Sequence, residues 1–218
     1  KAGVRTLCQN FILIIDWTRT DLDYLLNSGA ALRFDMADFV AYDVFVLKRP
    51  QAADSYDAAT VRAAEARCRE MSTARQDEIE RIVLAGLPGS DFSYDRAGFL
   101  TLLRDYEHMS KDDLRANLAA FHREVVPVAE EAGIRLCIHP DDPPIDLFGL
   151  PRVVSTAEDI AALLDAVDSP ANGLTFCVGS ITSRADNDTT AMAKRFASRI
   201  AFLHMRNVTR EAGGSFTE

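Results

Sequence analysis

The chain has 218 residues, of which 48% are hydrophobic and 26% charged. This is an ordinary globular composition, with enough length to bury a core without disulfide staples. The 24 Lys and Arg against 33 Asp and Glu leave a net charge of −9, which excludes the basic surplus of a general nucleic-acid binder and argues against anionic lipid surfaces. No purely apolar run exceeds the length of Phe11 to Ile15, which is far short of the ~20 residues a membrane-spanning helix needs. Four scattered cysteines, Cys8, Cys68, Cys137 and Cys177, read as reduced thiols of a cytoplasmic protein.

The chain opens on Lys1-Ala2-Gly3 without an initiator Met, and Gly213-Gly214-Ser215-Phe216-Thr217-Glu218 reads as a loop with no closing element. A piece of a longer protein is therefore expected. Val4 to Ile15 is the first apolar run and predicts a buried strand. The stretch 33–110 breaks the later rhythm and predicts a helical insertion. It holds helical patterns at Ala58 to Met71, Gln76 to Ala85 and about Arg96 to Glu107, with Gly86-Leu87-Pro88-Gly89 as a stop signal.

From residue 112 onward the pattern is α-β-α-β-α-β. Asp112 to Ala132 carries Leu114, Leu118, Phe121, Val125 and Val128 as one apolar stripe. Gly133 stands at the place of a helix-ending glycine, and Pro127 predicts a kink or break. Ile134 to Ile138 is the second strand. Ser155-Thr156-Ala157-Glu158 opens the next helix with a capping-box pattern, continued by Ile160, Leu163, Leu164 and Val167. Leu174 to Val178 is the third strand. A helix from about Asp188 to Ala197 buries Met192 and Phe196, and Ile200 to Met205 is the fourth strand. Short buried strands alternating with helices predict a parallel sheet with right-handed crossovers.

The chemistry-bearing residues stand at strand ends. His139 follows the second strand, Cys177 is near the end of the third, and His204 near the end of the fourth. Parallel α/β folds bind ligands at the C-terminal ends of their strands. Two imidazoles and a thiolate there would suit a divalent transition metal. Taken singly, Cys177 also reads as a small core residue, and His139 or His204 as a hydrogen-bonded structural histidine. His108 and His122 lie on helical patterns and read as surface residues. Asp141 and Asp142, in the proline-pinned stretch Pro140-Asp141-Asp142-Pro143-Pro144, offer to orient the imidazole from outside the ligand set, or alternatively to cap a turn. Asp16, Trp17, Arg184, Asp186 and Arg206 are candidates for holding a substrate, the arginines by gripping a carboxylate. The alternative for each arginine is a salt bridge to a neighbouring aspartate. Lys48-Arg49-Pro50 reads as a lid or as a solvated turn.

These stretches together resemble the mannonate dehydratase family. The matches are Asn10-Phe11, Asp16-Trp17-Thr18-Arg19-Thr20-Asp21-Leu22, Leu47-Lys48-Arg49-Pro50, Ala85-Gly86-Leu87-Pro88-Gly89, His139-Pro140-Asp141-Asp142-Pro143-Pro144, Gly149-Leu150-Pro151-Arg152-Val153-Val154-Ser155-Thr156, Asn172-Gly173, Cys177-Val178-Gly179-Ser180, Arg184-Ala185-Asp186-Asn187-Asp188 and His204-Met205-Arg206. The resemblance implies a (β/α)8 TIM barrel of the xylose-isomerase-like kind, incomplete in this chain. It implies a cytoplasmic enzyme of hexuronate breakdown, a dehydratase that converts D-mannonate to 2-dehydro-3-deoxy-D-gluconate with Mn(II) or Fe(II). By motif, His139, Cys177 and His204 take three metal-ligand places. An Asp ligand in an Arg-Pro-Asp-His-Gly-His-like motif and a late catalytic tyrosine have no match here, so the acid/base groups are expected outside this chain. A homodimer is the expected assembly. Two other readings are a metal-dependent sugar isomerase or epimerase on the same barrel, and a non-catalytic barrel fragment.

Overall fold

A computed structural model describes residues 3–27, 29–85 and 94–218. The stop signal Gly86-Leu87-Pro88-Gly89 lies outside the described residues. In chain order the elements are β1 (Thr6–Gln9), β2 (Asp21–Leu26), β3 (Gly29–Phe34), α1 (Met36–Ala41), α2 (Ala58–Glu70), α3 (Thr73–Ala85), α4 (Arg96–Asp105), α5 (Lys111–Glu131) and β4 (Arg135–Ile138). There follow α6 (Ala157–Ala166), β5 (Asn172–Cys177), α7 (Val178–Ser183), α8 (Thr189–Arg195), β6 (Ile200–His204), β7 (Thr209–Arg210) and β8 (Phe216–Thr217). The chain divides into two compact units. The first comprises Lys1–Leu13, Met109–Ile145 and Pro151–Asn207, and the second comprises Ile14–His108, Asp146–Leu150 and Val208–Glu218.

The first unit is built on a four-stranded sheet in the order β1-β4-β5-β6, parallel at every pairing. Its outer face is apolar. Ile138, Leu174 and Phe176 pack with Leu114 and Leu118 of α5, Ile160, Leu163 and Leu164 of α6, and Met192 of α8. The three predicted later strands are present within a residue or two, but β6, at the edge of the sheet, is largely exposed and not buried as expected. The first strand is much shorter than the predicted Val4 to Ile15. The chain leaves the sheet after Gln9, and Phe11 and Leu13 reach the same core from irregular backbone. The run therefore splits: Thr6–Gln9 pairs but is partly exposed, Phe11 to Ile15 is partly buried without strand pairing, and Ile14 turns with a positive φ of 58°.

Three helix expectations change in detail. α5 buries Leu114, Leu118, His122 and Val126, whereas Phe121 and Val128 of the predicted stripe are exposed. The buried face therefore advances in steps of four and includes a histidine, correcting the surface reading of His122. His108 is exposed, as read. α5 runs through Pro127 without a break. The capping box of α6 is formed by Thr156 and Asp159, one residue later than predicted, each side chain bonding the other's backbone.

The second unit contains α1 to α4 and a separate antiparallel sheet in the order β2-β3-β8-β7. The hairpin β2–β3 had no sequence signal, since Leu25 and Leu26 are exposed and the strand lacks clean alternation. The terminal stretch is not a loop. Phe216 and Thr217 form the buried strand β8 against β3. The core is aromatic: Phe148 meets Phe39, Phe99 and Tyr42 with ring centroids 4.8, 5.2 and 6.3 Å apart, in edge-on geometry. Arg49 makes two hydrogen bonds to buried Asp43, at 2.9 and 2.8 Å.

Candidate metal centre

Strand register brings His139, Cys177 and His204 together. Cys177 and His204 are register partners at the ends of β5 and β6. His139 lies one residue past β4, and its amide donates to the Gln9 carbonyl at 2.8 Å, which continues the ladder to β1. Three neighbouring strand ends therefore present their ligand-type side chains at one level. One ligand atom from each residue lies within 4.8 Å of the other two. Cys177 is buried, His139 half-buried and His204 exposed.

The pairwise geometry suits a shared cation. Cys177 Sγ lies 3.3 Å from His204 Nδ1. A sulfur and a nitrogen bound to one ion at about 2.3 and 2.1 Å would stand roughly 3 to 3.6 Å apart. The rings of His139 and His204 are 6.1 Å apart between centroids. His139 Nδ1 lies 2.6 Å from the Pro140 carbonyl oxygen. A carbonyl can only accept, so Nδ1 carries the proton and Nε2 keeps its lone pair for a ligand. Imidazole and thiolate donors are those preferred by first-row transition metals. The residues present therefore fit a divalent ion of that class.

The electrostatics prepare the thiol. Burial opposes a charge on Cys177, but hydrogen bonds from His139 and Ser180 outweigh it and hold the thiol below its usual range. Burial likewise opposes a charge on His139, yet Cys177, the Pro140 carbonyl and Asp142 together raise its imidazole above the ordinary value. Each residue thus favours the charged form of the other, and a metal ion bound at Nε2 would compete with a proton there.

The remaining candidates are placed as follows. Asp141 is buried, and its carboxylate accepts from the Val154 amide at 2.7 Å and from the Ser155 hydroxyl at 2.8 Å. Arg152 stands 3.9 Å away, and burial pushes the Asp141 carboxyl up. Its bonds thus close the 141–155 loop. Asp142 pairs with Arg206 at 2.6 Å. Arg184 grips Asp186 at 2.6 and 2.8 Å and donates to the Pro144 carbonyl at 3.1 Å. Asp16 and Trp17 belong to the second unit. The Trp17 ring lies 4.7 Å from the guanidinium of buried Arg19, which also faces Phe216 at 4.8 Å and bonds Glu218.

Two groups at the centre had no role assigned from sequence. The Ser180 hydroxyl donates to Cys177 Sγ at 3.2 Å, and the Pro140 carbonyl sets the tautomer of His139. The three-residue spacing of Cys177 and Ser180 was a usable signal only once α7, absent from the sequence reading, was known to begin at Val178.

Comparison with known proteins identifies the family. The family model described as D-mannonate dehydratase (UxuA) matches residues 1–218. Mannonate dehydratase 2 of Agrobacterium fabrum is 55% identical over 219 aligned residues, covering 100% of this chain and 55% of that protein. Mannonate dehydratase of Saccharophagus degradans is 50% identical with the same coverage. The crystal structure of mannonate dehydratase from Streptococcus suis serotype 2 superposes with a TM-score of 0.66 at 32% identity, covering 100% of this chain and 49% of that one. The chain spans about half the length of the relatives it matches. On the match along its whole length, the chain belongs to the mannonate dehydratase family.

Proposed function

We propose that this chain carries the metal-binding part of a dehydratase that removes water from D-mannonate to give 2-dehydro-3-deoxy-D-gluconate. The observation that carries this reading is the meeting of His139, Cys177 and His204 at three neighbouring strand ends in a chain of this family. The parallel sheet β1-β4-β5-β6 is read as part of a (β/α)8 barrel, supported by its topology and by the resemblance to a solved mannonate dehydratase. No helix among the described residues is long and apolar enough to cross a membrane, and a cytoplasmic setting is part of the proposal on the strength of the free thiols.

The reaction removes a proton from C2 of the aldonate and hydroxide from C3. His139 Nε2, Cys177 Sγ and a nitrogen of His204 would hold Mn(II) or Fe(II), which when bound supplies Lewis acidity toward the carboxylate or the C2 oxygen. The chain's own residues prepare this site. Pro140 keeps His139 in the tautomer that presents Nε2. His139 and Ser180 favour the anionic form of Cys177. Arg184 is the guanidinium a substrate carboxylate would meet, by exchanging with the exposed carboxylate of Asp186. A net charge of −9 repels an anionic substrate, so a local cation of this kind is needed for binding. Asp16 and Trp17 are kept in the proposal as substrate-side groups of the second unit.

The test is product formation from D-mannonate under anaerobic conditions, with Mn(II) or Fe(II) and with chelator. The 2-keto-3-deoxy acid should appear only with metal. A product isomeric with the substrate would replace this reading with an isomerase or epimerase. Metal-loaded protein that includes the expected acid/base groups and still leaves D-mannonate untouched would remove the substrate assignment. Substituting Cys177→Ser or His204→Ala should abolish tight metal binding and turnover together. Full metal content in either variant would take that residue out of the ligand set.

A further inference from the structure

The carboxylate of Asp142 and the guanidinium of Arg206 both had other assignments from sequence, yet the structure joins them to the sulfur of Cys177. Arg206 Nη1 donates to Asp142 Oδ2 at 2.6 Å. Arg206 Nη2 donates to Ser180 Oγ at 3.2 Å. Ser180 Oγ in turn donates to Cys177 Sγ at 3.2 Å. The three links tie the loop after β4, the first turn of α7 and the segment after β6 to one atom.

The direction of this chain is set by chemistry. A guanidinium has donors and no acceptor. The Ser180 oxygen facing Arg206 must therefore accept, and its single proton is left for the sulfur. Asp142 and Ser180 are both buried, so neither link is loosened by solvent. The backbone makes room for the arrangement. A Cβ at Gly179 would overlap the Arg206 side chain, so the guanidinium occupies the space that a side chain there would take.

We propose that Asp142, Arg206 and Ser180 form a positioning relay whose target is the thiolate of Cys177, and that Arg206 is a positioning residue for this ligand and not a grip on the substrate. The proposal rests on the metal reading above. A hydroxyl proton aimed at a thiolate stabilises the sulfur lone pairs, fixes the direction in which the remaining pairs point, and lowers the electron donation of sulfur to a bound ion. Arg206 keeps the proton aimed, and Asp142 keeps Arg206 in place.

The experiment uses Co(II) as the probe, bound to the full chain and to two variants, Ser180→Ala and Arg206→Lys. A Co(II)–thiolate bond gives a near-ultraviolet charge-transfer band whose energy reports the sulfur lone pairs directly. Removing the hydroxyl should move that band to longer wavelength and weaken Co(II) binding on the order of 10-fold, as for other groups that orient metal ligands. Arg206→Lys should shift the band in the same direction by less, because a single ammonium holds the serine with poorer geometry. Ser180→Ala removes one buried oxygen from a helix, and circular dichroism verifies that the variant is folded. An unshifted band with unchanged affinity in Ser180→Ala overturns the relay. A raised KM for the aldonate in Arg206→Lys, with an unmoved Co(II) band, also overturns it and returns Arg206 to the substrate. Wild-type chain that binds Co(II) without a thiolate band would instead sink the metal reading itself, so the two failures are distinguishable.

Discussion

His122 owes its protonation state to a residue fifty positions away. Asn172 donates its amide hydrogens to the carbonyls of Leu163 and Val167 at 3.2 and 3.0 Å, which turns Asn172 Oδ1 toward His122 Nδ1 at 3.1 Å. Nδ1 must then carry the proton, and Nε2 accepts from the Gln9 amide at 2.9 Å. The buried ring is therefore held neutral. Burial lowers its pKa, only partly offset by Asn172. Because the folded-state value lies below the unfolded one of about 6.5, the unfolded chain binds more protons as pH falls. The stability His122 contributes is complete above about pH 6.5 and is lost as pH falls from there toward the folded-state value. His122→Leu leaves the Gln9 and Asn172 groups unpaired and should cost about 1 to 3 kcal/mol at pH 7.5. Urea unfolding at pH 7.5 and pH 5 should show that difference shrinking at the lower pH. An equal loss at both values would exclude the titration of His122 as its source. The sequence could not announce this residue, since a histidine on a helix is placed inside only by partners from β1 and β5.

Helices α5 and α6 show what local pattern does and does not settle. Both are legible from apolar spacing and from Ser or Thr caps, because those signals lie within one turn of the chain. In α5 the structure departs from the apolar stripe by a rotation of the helix. The apolar spacing includes Phe121, which sits at the rim against Phe11 at 5.8 Å while His122 faces the sheet. Apolarity alone cannot distinguish a rim from a buried face when a polar partner waits inside. The two helices are also joined by a pair that no local pattern signals. Arg115 donates to Asp159 at 2.7 Å, and Asp159 is at the same time the capping carboxylate of α6. Asp159→Ala should therefore lower stability by about 1 to 2 kcal/mol, more than an isolated cap on the surface would, in thermal unfolding. Pro127 stands on the exposed side of an unbroken helix, lacking the amide that would bond one turn back. Pro127→Ala should raise stability by about 1 to 2 kcal/mol, since the recovered hydrogen bond exceeds the added flexibility of the unfolded chain. A lower melting temperature for this variant would mean that the proline is needed by the packing.

The chain as a whole holds two sheets of different kinds in two compact units. Leu7 on β1 and Phe202 and Leu203 on β6, the two edge strands of the parallel sheet, are exposed, as is Met205 just beyond it. Unpaired edges with apolar side chains favour association. The 218 residues on their own should show a sedimentation coefficient that rises with concentration, and a single monomer species at every concentration tested would refute this. The sequence by itself determined the strands of the parallel sheet, the helices between them apart from α7, and the order of His139, Cys177 and His204 at strand ends, because periodicity and strand-end position are short-range properties. It did not determine where β1 stops, the hairpin β2–β3 or the strand β8. Those depend on pairings between distant segments, such as Phe34 with Phe216. Tertiary structure likewise decided which partners the polar residues take. Asp141 closes a loop, and Arg206 faces Asp142 and Ser180. A side chain's hydrogen bonds are set by what the fold brings within 3 Å or so, and residue type states only what it is able to donate or accept.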